Sequence, residues 1–271
     1  MSPLRFWGAF VLVALCAPAL AQEPVKLEWK AAPQQATRFK LVMSQYTGKE
    51  PLAPALKPGL LKALARRRAA GKPDGALPPA LLAVFDPPRE RSDPGQVSEV
   101  EIRPWTAERL RCTLSSPGPG GKEFVLGRLV MNPKGQSESF WVPFQVRNLV
   151  VPLLELAPKA VRVGERWPIH VHLLQQQLPL RVKSSHKANQ VTLTAYDAKT
   201  GEATLDYLVS EEVVGARLTA DDDPFGLAMH LVGRGVFSTR KGNWSWLELR
   251  LILTQGGRSQ EAVLRVTPLE K

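Results

Sequence analysis

The stretch Trp244-Ser245-Trp246-Leu247-Glu248-Leu249-Arg250-Leu251-Ile252-Leu253-Thr254 decides the fold class. Leu247, Leu249, Leu251 and Leu253 recur at period two, so they share one face of an extended strand and require that face to be buried. The same alternation places Trp244, Trp246, Glu248 and Arg250 on the other face. Lys241-Gly242-Asn243 before the stretch and Gly256-Gly257 after it read as tight turns. Strands from Gly235 to Arg240 and from Ser259 to Thr267 lie beyond those turns, which makes an antiparallel meander.

Working outward, the alternation recurs. Val191 to Tyr196 and Ala203 to Leu208 flank the loop Asp197-Ala198-Lys199-Thr200-Gly201, a hairpin closed by glycine. Trp167, Ile169, Val171 and Leu173 share one strand face. Val100 and Ile102, then Leu110, Cys112 and Leu114, then Phe124 to Met131 read as further strands. Turns fall at Ser116 to Gly121 and at Asn132 to Gly135, and Ser139 to Val151 reads as a long extended segment. Val25 to Lys30 alternates apolar and charged residues and reads as one arm of an opening hairpin, with the strand from Arg38 to Met43 as the other.

The N-terminus carries a different signal. Arg5, the ten-residue apolar run from Phe6 to Leu15 and the small-residue site Ala19-Leu20-Ala21 read as a secretory signal peptide over residues 1–21, cleaved after Ala21. The run is too short to span a bilayer. Lipidation at Cys16 is the competing reading, but Leu15 stands where a small residue is wanted. Export to the periplasm or the extracellular space follows. Cys112 then remains without a partner for a disulfide, and its phase with Leu110 and Leu114 makes it a small buried hydrophobe.

The formal charge of +11 is uneven. Residues 22–150 hold 20 basic and 12 acidic side chains, whereas 151–271 hold 15 and 13. The cationic character is therefore local. Residues 51–95 contain nine prolines and cannot be central sheet. They read as an excursion from a single β-rich domain spanning 22–271. Inside the excursion, Gly59 to Ala70 reads as a helix, with Pro58 at its start and Gly71 past its end. Lys62, Arg66, Arg67, Arg68 and Lys72 make it a candidate for an anionic membrane surface; a solvated helix face is the plainer alternative. Export and the lack of interleaved aromatics argue against nucleic acid.

Few residues suggest chemistry. His170 and His172 share a strand side and have chelating spacing, but no Cys-x-x-Cys or His-Glu-x-x-His accompanies them, so no metal is assigned. Asp221-Asp222-Asp223 lacks the alternate spacing of a calcium loop. Gly118 to Lys122 fails as a phosphate loop because Glu123 stands where a hydroxyl is needed. There is no Gly-x-Ser-x-Gly elbow. No catalytic residue and no cofactor are expected.

Three segments carry a resemblance: Val25 to Met43; Leu154 to Trp167, with Val161-Arg162-Val163-Gly164-Glu165-Arg166-Trp167 at its centre; and Gly233-Arg234-Gly235-Val236-Phe237-Ser238-Thr239-Arg240-Lys241-Gly242. Together they resemble an exported bacterial β-domain family of unknown function, which is similar in turn to the lipoprotein-carrier half-barrels. Ser238 departs from the acidic residue usual there. The resemblance implies a curved antiparallel sheet or half-barrel with one or two short helices, contributed here by the excursion. It implies no catalytic residue.

These readings converge on a non-enzymatic envelope protein. It would bind a lipid, a lipoprotein acyl chain or another apolar ligand on a concave sheet, with Trp244, Trp246 and Ile252 as the lining. The alternative is a structural or adaptor domain that binds another envelope protein.

Overall fold

The computed structural model describes residues 23–31, 36–50, 89–91, 96–118, 120, 122–141, 144–174, 180–217, 224–255 and 258–269. The chain is mainly β, with one large antiparallel sheet that does not close into a barrel. Its strands are β1 (Thr37–Glu50), β2 (Arg89–Arg91), β3 (Gln96–Pro104), β4 (Leu110–Pro117), β5 (Glu123–Met131), β6 (Ser137–Trp141), β7 (Arg166–Trp167), β8 (Leu180–Asp197), β9 (Glu202–Arg217), β10 (Pro224–Ser238), β11 (Asn243–Gln255) and β12 (Arg258–Pro268). A short helix, α1 (Phe144–Leu154), stands between β6 and β7.

The order across the sheet is β6-β5-β4-β3-β1-β12-β11-β10-β9-β8-β7, and β2 pairs with the end of β1. Two meanders thus meet at β1. The first runs from β3 outward to β6, and the second from β12 back to β8. The first long strand of the chain therefore sits at the middle of the sheet, paired with β3 on one side and β12 on the other.

One face is packed. Phe39, Leu41, Val100, Ile102, Cys112, Leu114, Leu129, Leu249 and Leu264 are buried there in a single core. Val150, Leu153 and Leu154 of α1, the segment after the helix, and Val25, Leu27 and Trp29 join the same core. Trp29 stacks on Phe39 and meets the edge of Phe237, and Phe237 in turn meets Trp244 edge-on at 5.2 Å. Burial raises the Cys112 thiol pKa, so it is an inert core side chain.

Three local expectations are corrected. Val25 to Lys30 is not an arm of a hairpin: Val25 bridges Val161, and the Trp29 N–H donates to the Pro133 carbonyl at 2.7 Å. The extended reading of Ser139 to Val151 fails after Trp141, because Phe144 onward is α1. Its valines and Pro152 disfavour a helix locally, yet the helix buries Val150, Val151, Leu153 and Leu154 together, and tertiary packing overrides the propensity.

The third correction concerns Trp244. Trp246 pairs with Val236, but Trp244 pairs with Phe237, so Ser245 is an extra residue in β11. That bulge shifts the alternation by one. Trp244 therefore lies on the packed face with Leu247, and Trp246 lies on the opposite one. The helix expected at Gly59 to Ala70 lies outside the described residues. No described helix is long and apolar enough to cross a membrane.

The Val161–Trp167 motif has a mechanical explanation. Gly164 has φ +93°, which glycine adopts without strain, and its N–H donates to the Leu193 carbonyl at 2.7 Å. The Glu165 carboxylate accepts from the Arg162 N–H, closing the turn. The turn delivers Trp167 to its pairing with Val191 on β8.

Candidate functional site

The expected ligand lining does not form one surface. Trp244 is buried on the packed face, and its Nε1 donates to the Leu153 carbonyl at 2.8 Å. Trp246 is half-buried on the opposite face. Ile252 is fully buried on that same opposite face, with Glu248 and Arg250 between it and Trp246 along β11. Those neighbours are charged and committed. Asp206, Arg234, Glu248 and Arg265 stand in one lateral row of alternating sign across β9 to β12. Arg234 contacts Asp206 through Nε and a second nitrogen, and Arg265 Nε reaches Glu248 at 2.8 Å. Arg250 donates from Nε to Glu261 at 2.9 Å, with both groups buried. This face is a polar lattice rather than an apolar lining.

Lys62, Arg66, Arg67, Arg68 and Lys72 lie outside the described residues, as do Asp221, Asp222 and Asp223. His170 and His172 are exposed and each has a different partner. Glu155, buried at 4%, accepts from the His170 N–H at 2.7 Å and contacts His170 Nδ1 at 2.5 Å. His172 Nδ1 lies 3.1 Å from Lys187 Nζ, and the His172 backbone bonds the Asn148 side chain.

These contacts belong to a larger device that periodicity did not reveal. Residues 168–174 alternate buried and exposed like a strand, but only Arg166 and Trp167 pair in the sheet. The Val171 N–H donates back to the Ile169 carbonyl at 2.9 Å, and side chains meet several of the other backbone groups. Asn189 brackets Ile169, bonding both its N–H and its carbonyl. Glu211 accepts from the Leu174 N–H at 2.8 Å and pairs with Lys187 at 2.7 Å. Buried backbone groups must find partners, and here polar side chains supply them.

A second buried polar pair sits on the polar face. Ser210 Oγ and His230 Nδ1 share a 2.8 Å hydrogen bond, and His230 is fully buried. Its Nε2 has no partner among the described residues. Burial lowers the His230 pKa to about 4, so the ring is neutral at pH 7.

The packed face offers the better surface for an apolar ligand. Its core rows end in Val209 and Leu231, both buried. From there the face is less completely closed: Leu251 and Ala262 in the Leu231 row, and Met229, Leu253 and Val213 in the next rows, are half-buried, while Leu227 beside Val213 is buried. Registers place these side chains in adjacent rows on β9 to β12, beside Met43 on β1. Lys187 and Glu211 continue the Met229 row across β8 and β9, giving the apolar shelf a charged end. The leucine alternation in β11 indicated the face, but not where its burial would stop.

No family model, curated protein or solved structure matches the chain.

Proposed function

We propose that the protein is a non-enzymatic, exported envelope protein that binds an apolar or amphipathic ligand, such as a lipid or a lipoprotein acyl chain. One observation carries this reading. The packed face of the sheet continues past its closed core as a half-buried shelf of Met43, Val213, Met229, Leu251 and Leu253. Burying an acyl chain there gains about 0.8 kcal/mol per methylene before ordering costs. Methionines suit such a surface because their flexible thioethers adapt to chains of differing shape. The charged end formed by Lys187 and Glu211 suits the polar end of an amphiphile. In this reading the ligand lies on the face opposite to the one that carries Trp246 and Ile252.

Native mass spectrometry of the protein purified from its own cell envelope tests this reading. A bound species of acyl-lipid mass, released by organic extraction, is the expected result. Ligand-free protein, or a stoichiometric complex with another envelope protein and no lipid, would overturn it in favour of an adaptor role.

A further inference from the structure

The other face of the sheet carries a second, unrelated feature. A groove of about 630 Å³ runs along β1, β3, β4 and β5 on the polar face. It is lined by two kinds of group. One end holds Arg38, Arg103, Arg111 and Arg128 around a single carboxylate, Glu101. The other end holds Ser115, Ser116, Glu99 and Glu123.

The charges at the arginine end do not balance internally. Glu101 is already taken by two partners: Arg38 donates to it from Nε at 2.7 Å, and Arg103 contacts both of its oxygens. The hydrogen bond from Arg103, aided by the one from Arg38, holds the Glu101 carboxyl below its ordinary range. Arg103 stands directly opposite Arg111 across the β3–β4 pair, an arrangement of like charges that is unfavourable by itself. Arg128 stands opposite Thr113, diagonal to Arg111. Among the described residues neither Arg111 nor Arg128 meets a carboxylate. Arg111, which lines the groove, instead lies 4.6 Å from the centre of the Trp105 ring, and Trp105 is 53% exposed beside it.

We propose that this groove binds an acidic oligosaccharide. Arg111 and Arg128 take the carboxylate of a uronate-type unit, and the exposed ring of Trp105 stacks on a sugar face. Arginine matches a carboxylate with two parallel hydrogen bonds, which suits an open site where a single charge contact would be weak. At the far end the Glu99 and Glu123 carboxylates accept from sugar hydroxyls, and so can the Ser116 oxygen, whose own proton goes to the Val97 carbonyl at 2.9 Å. Those same carboxylates, Glu99 and Glu123, repel a uniformly charged chain, so the occupant is anionic at one end and hydroxyl-rich along its length. Nothing in this inference depends on the apolar shelf, which lies on the opposite face.

The test is calorimetric titration of the full chain with a short malto-oligosaccharide carrying a single terminal glucuronate. A neutral malto-oligosaccharide, sodium polyphosphate and poly-glutamate serve as comparisons. The side chains concerned are exposed, so Arg111→Gln with Arg128→Gln, and separately Trp105→Ala, are expected to keep the wild-type melting temperature. Saturable binding of the terminally glucuronylated oligosaccharide, weakened roughly tenfold or more by either variant and absent for the neutral sugar, is the expected result. No binding to wild type, or binding unchanged in the variants, would overturn the proposal. Equal binding of polyphosphate would show a merely cationic surface, and tighter binding of poly-glutamate would assign the groove to a protein partner; either result also overturns it.

Discussion

The indole Nε1 of Trp244 donates a 2.8 Å hydrogen bond to the Leu153 carbonyl, joining β11 to the last turn of α1 across 91 residues of sequence. Trp29 does the same for the next carbonyl, Leu154, at 2.6 Å. The last carbonyls of a helix have no partner within it, and here two buried indoles supply the missing donors. Gly135 completes the arrangement: with φ +75°, it passes so close to the Leu154 carbonyl that a Cβ would overlap it. The helix end is thus fixed by residues from three distant parts of the chain.

Replacing Trp244 with Phe keeps most of the apolar volume and removes the donor. The Leu153 carbonyl is then buried without that partner, and the expected loss is about 1–3 kcal/mol in urea unfolding. Trp246→Phe, on the polar face and half-buried, is expected to change stability by less than about 1 kcal/mol. Equal losses at the two positions would contradict the assignment of Trp244 to the packed face.

The glycines of β10 give a graded test. A Cβ at Gly233 would stand 2.1 Å from the Glu248 carbonyl oxygen, and one at Gly235 would meet Leu247 Cδ1 at 2.6 Å and Trp244 Cζ3 at 2.8 Å. A Cβ at Gly226 would meet nothing within 4 Å. Thermal unfolding is therefore expected to rank Gly233→Ala as most harmful and Gly235→Ala next, with each costing roughly 1–3 kcal/mol or more. Gly226→Ala is expected to be neutral or stabilising by about 0.5 kcal/mol. A harmful Gly226→Ala would show that this end of β10 is packed differently.

His230 predicts a pH dependence. Its folded pKa, about 4, lies below its ordinary value of 6.5, so the unfolded chain binds the proton more readily. The stability tied to the neutral ring is fully present above pH 6.5 and is lost as pH falls towards 4, by about 2 kcal/mol at pH 5. Urea titrations at pH 7 and pH 5 on wild type and His230→Asn check this. The variant is expected to lose less between the two pH values; an identical loss would remove His230 as the cause.

How much of this was legible in the sequence follows from the range of the interactions. Strict alternation revealed the strands of β11 and β12, the β8–β9 hairpin and the apolar phase of Cys112, because a sheet with one packed face imposes period two locally. The bulge at Ser245 was not legible, since nothing in Trp-Ser-Trp marks an extra residue, and a shift of one reverses every face assignment before it. The helix was hidden by valines and Pro152, whose local preference is overruled by burial against the sheet. The segment 168–174 looked like a strand because it alternates in burial. That its backbone is held by Asn148, Glu155, Asn189 and Glu211 rather than by a neighbouring strand depends on residues from α1, β8 and β9. The groove on the polar face is composed of charged residues that, in sequence, are indistinguishable from an ordinary solvated strand face.

The central claim, an apolar ligand on the shelf beyond the core, is tested most directly by titrating the protein with a fluorescent fatty acid. Wild type, Met229→Gln with Leu253→Gln, and Trp246→Ala are compared at matched stability. The account predicts saturable binding that palmitate displaces, weakened roughly tenfold or more by the shelf variant through lost apolar contact, and unchanged by Trp246→Ala on the opposite face. Absence of saturable binding in wild type, or affinity lost in Trp246→Ala and kept in the shelf variant, would contradict it.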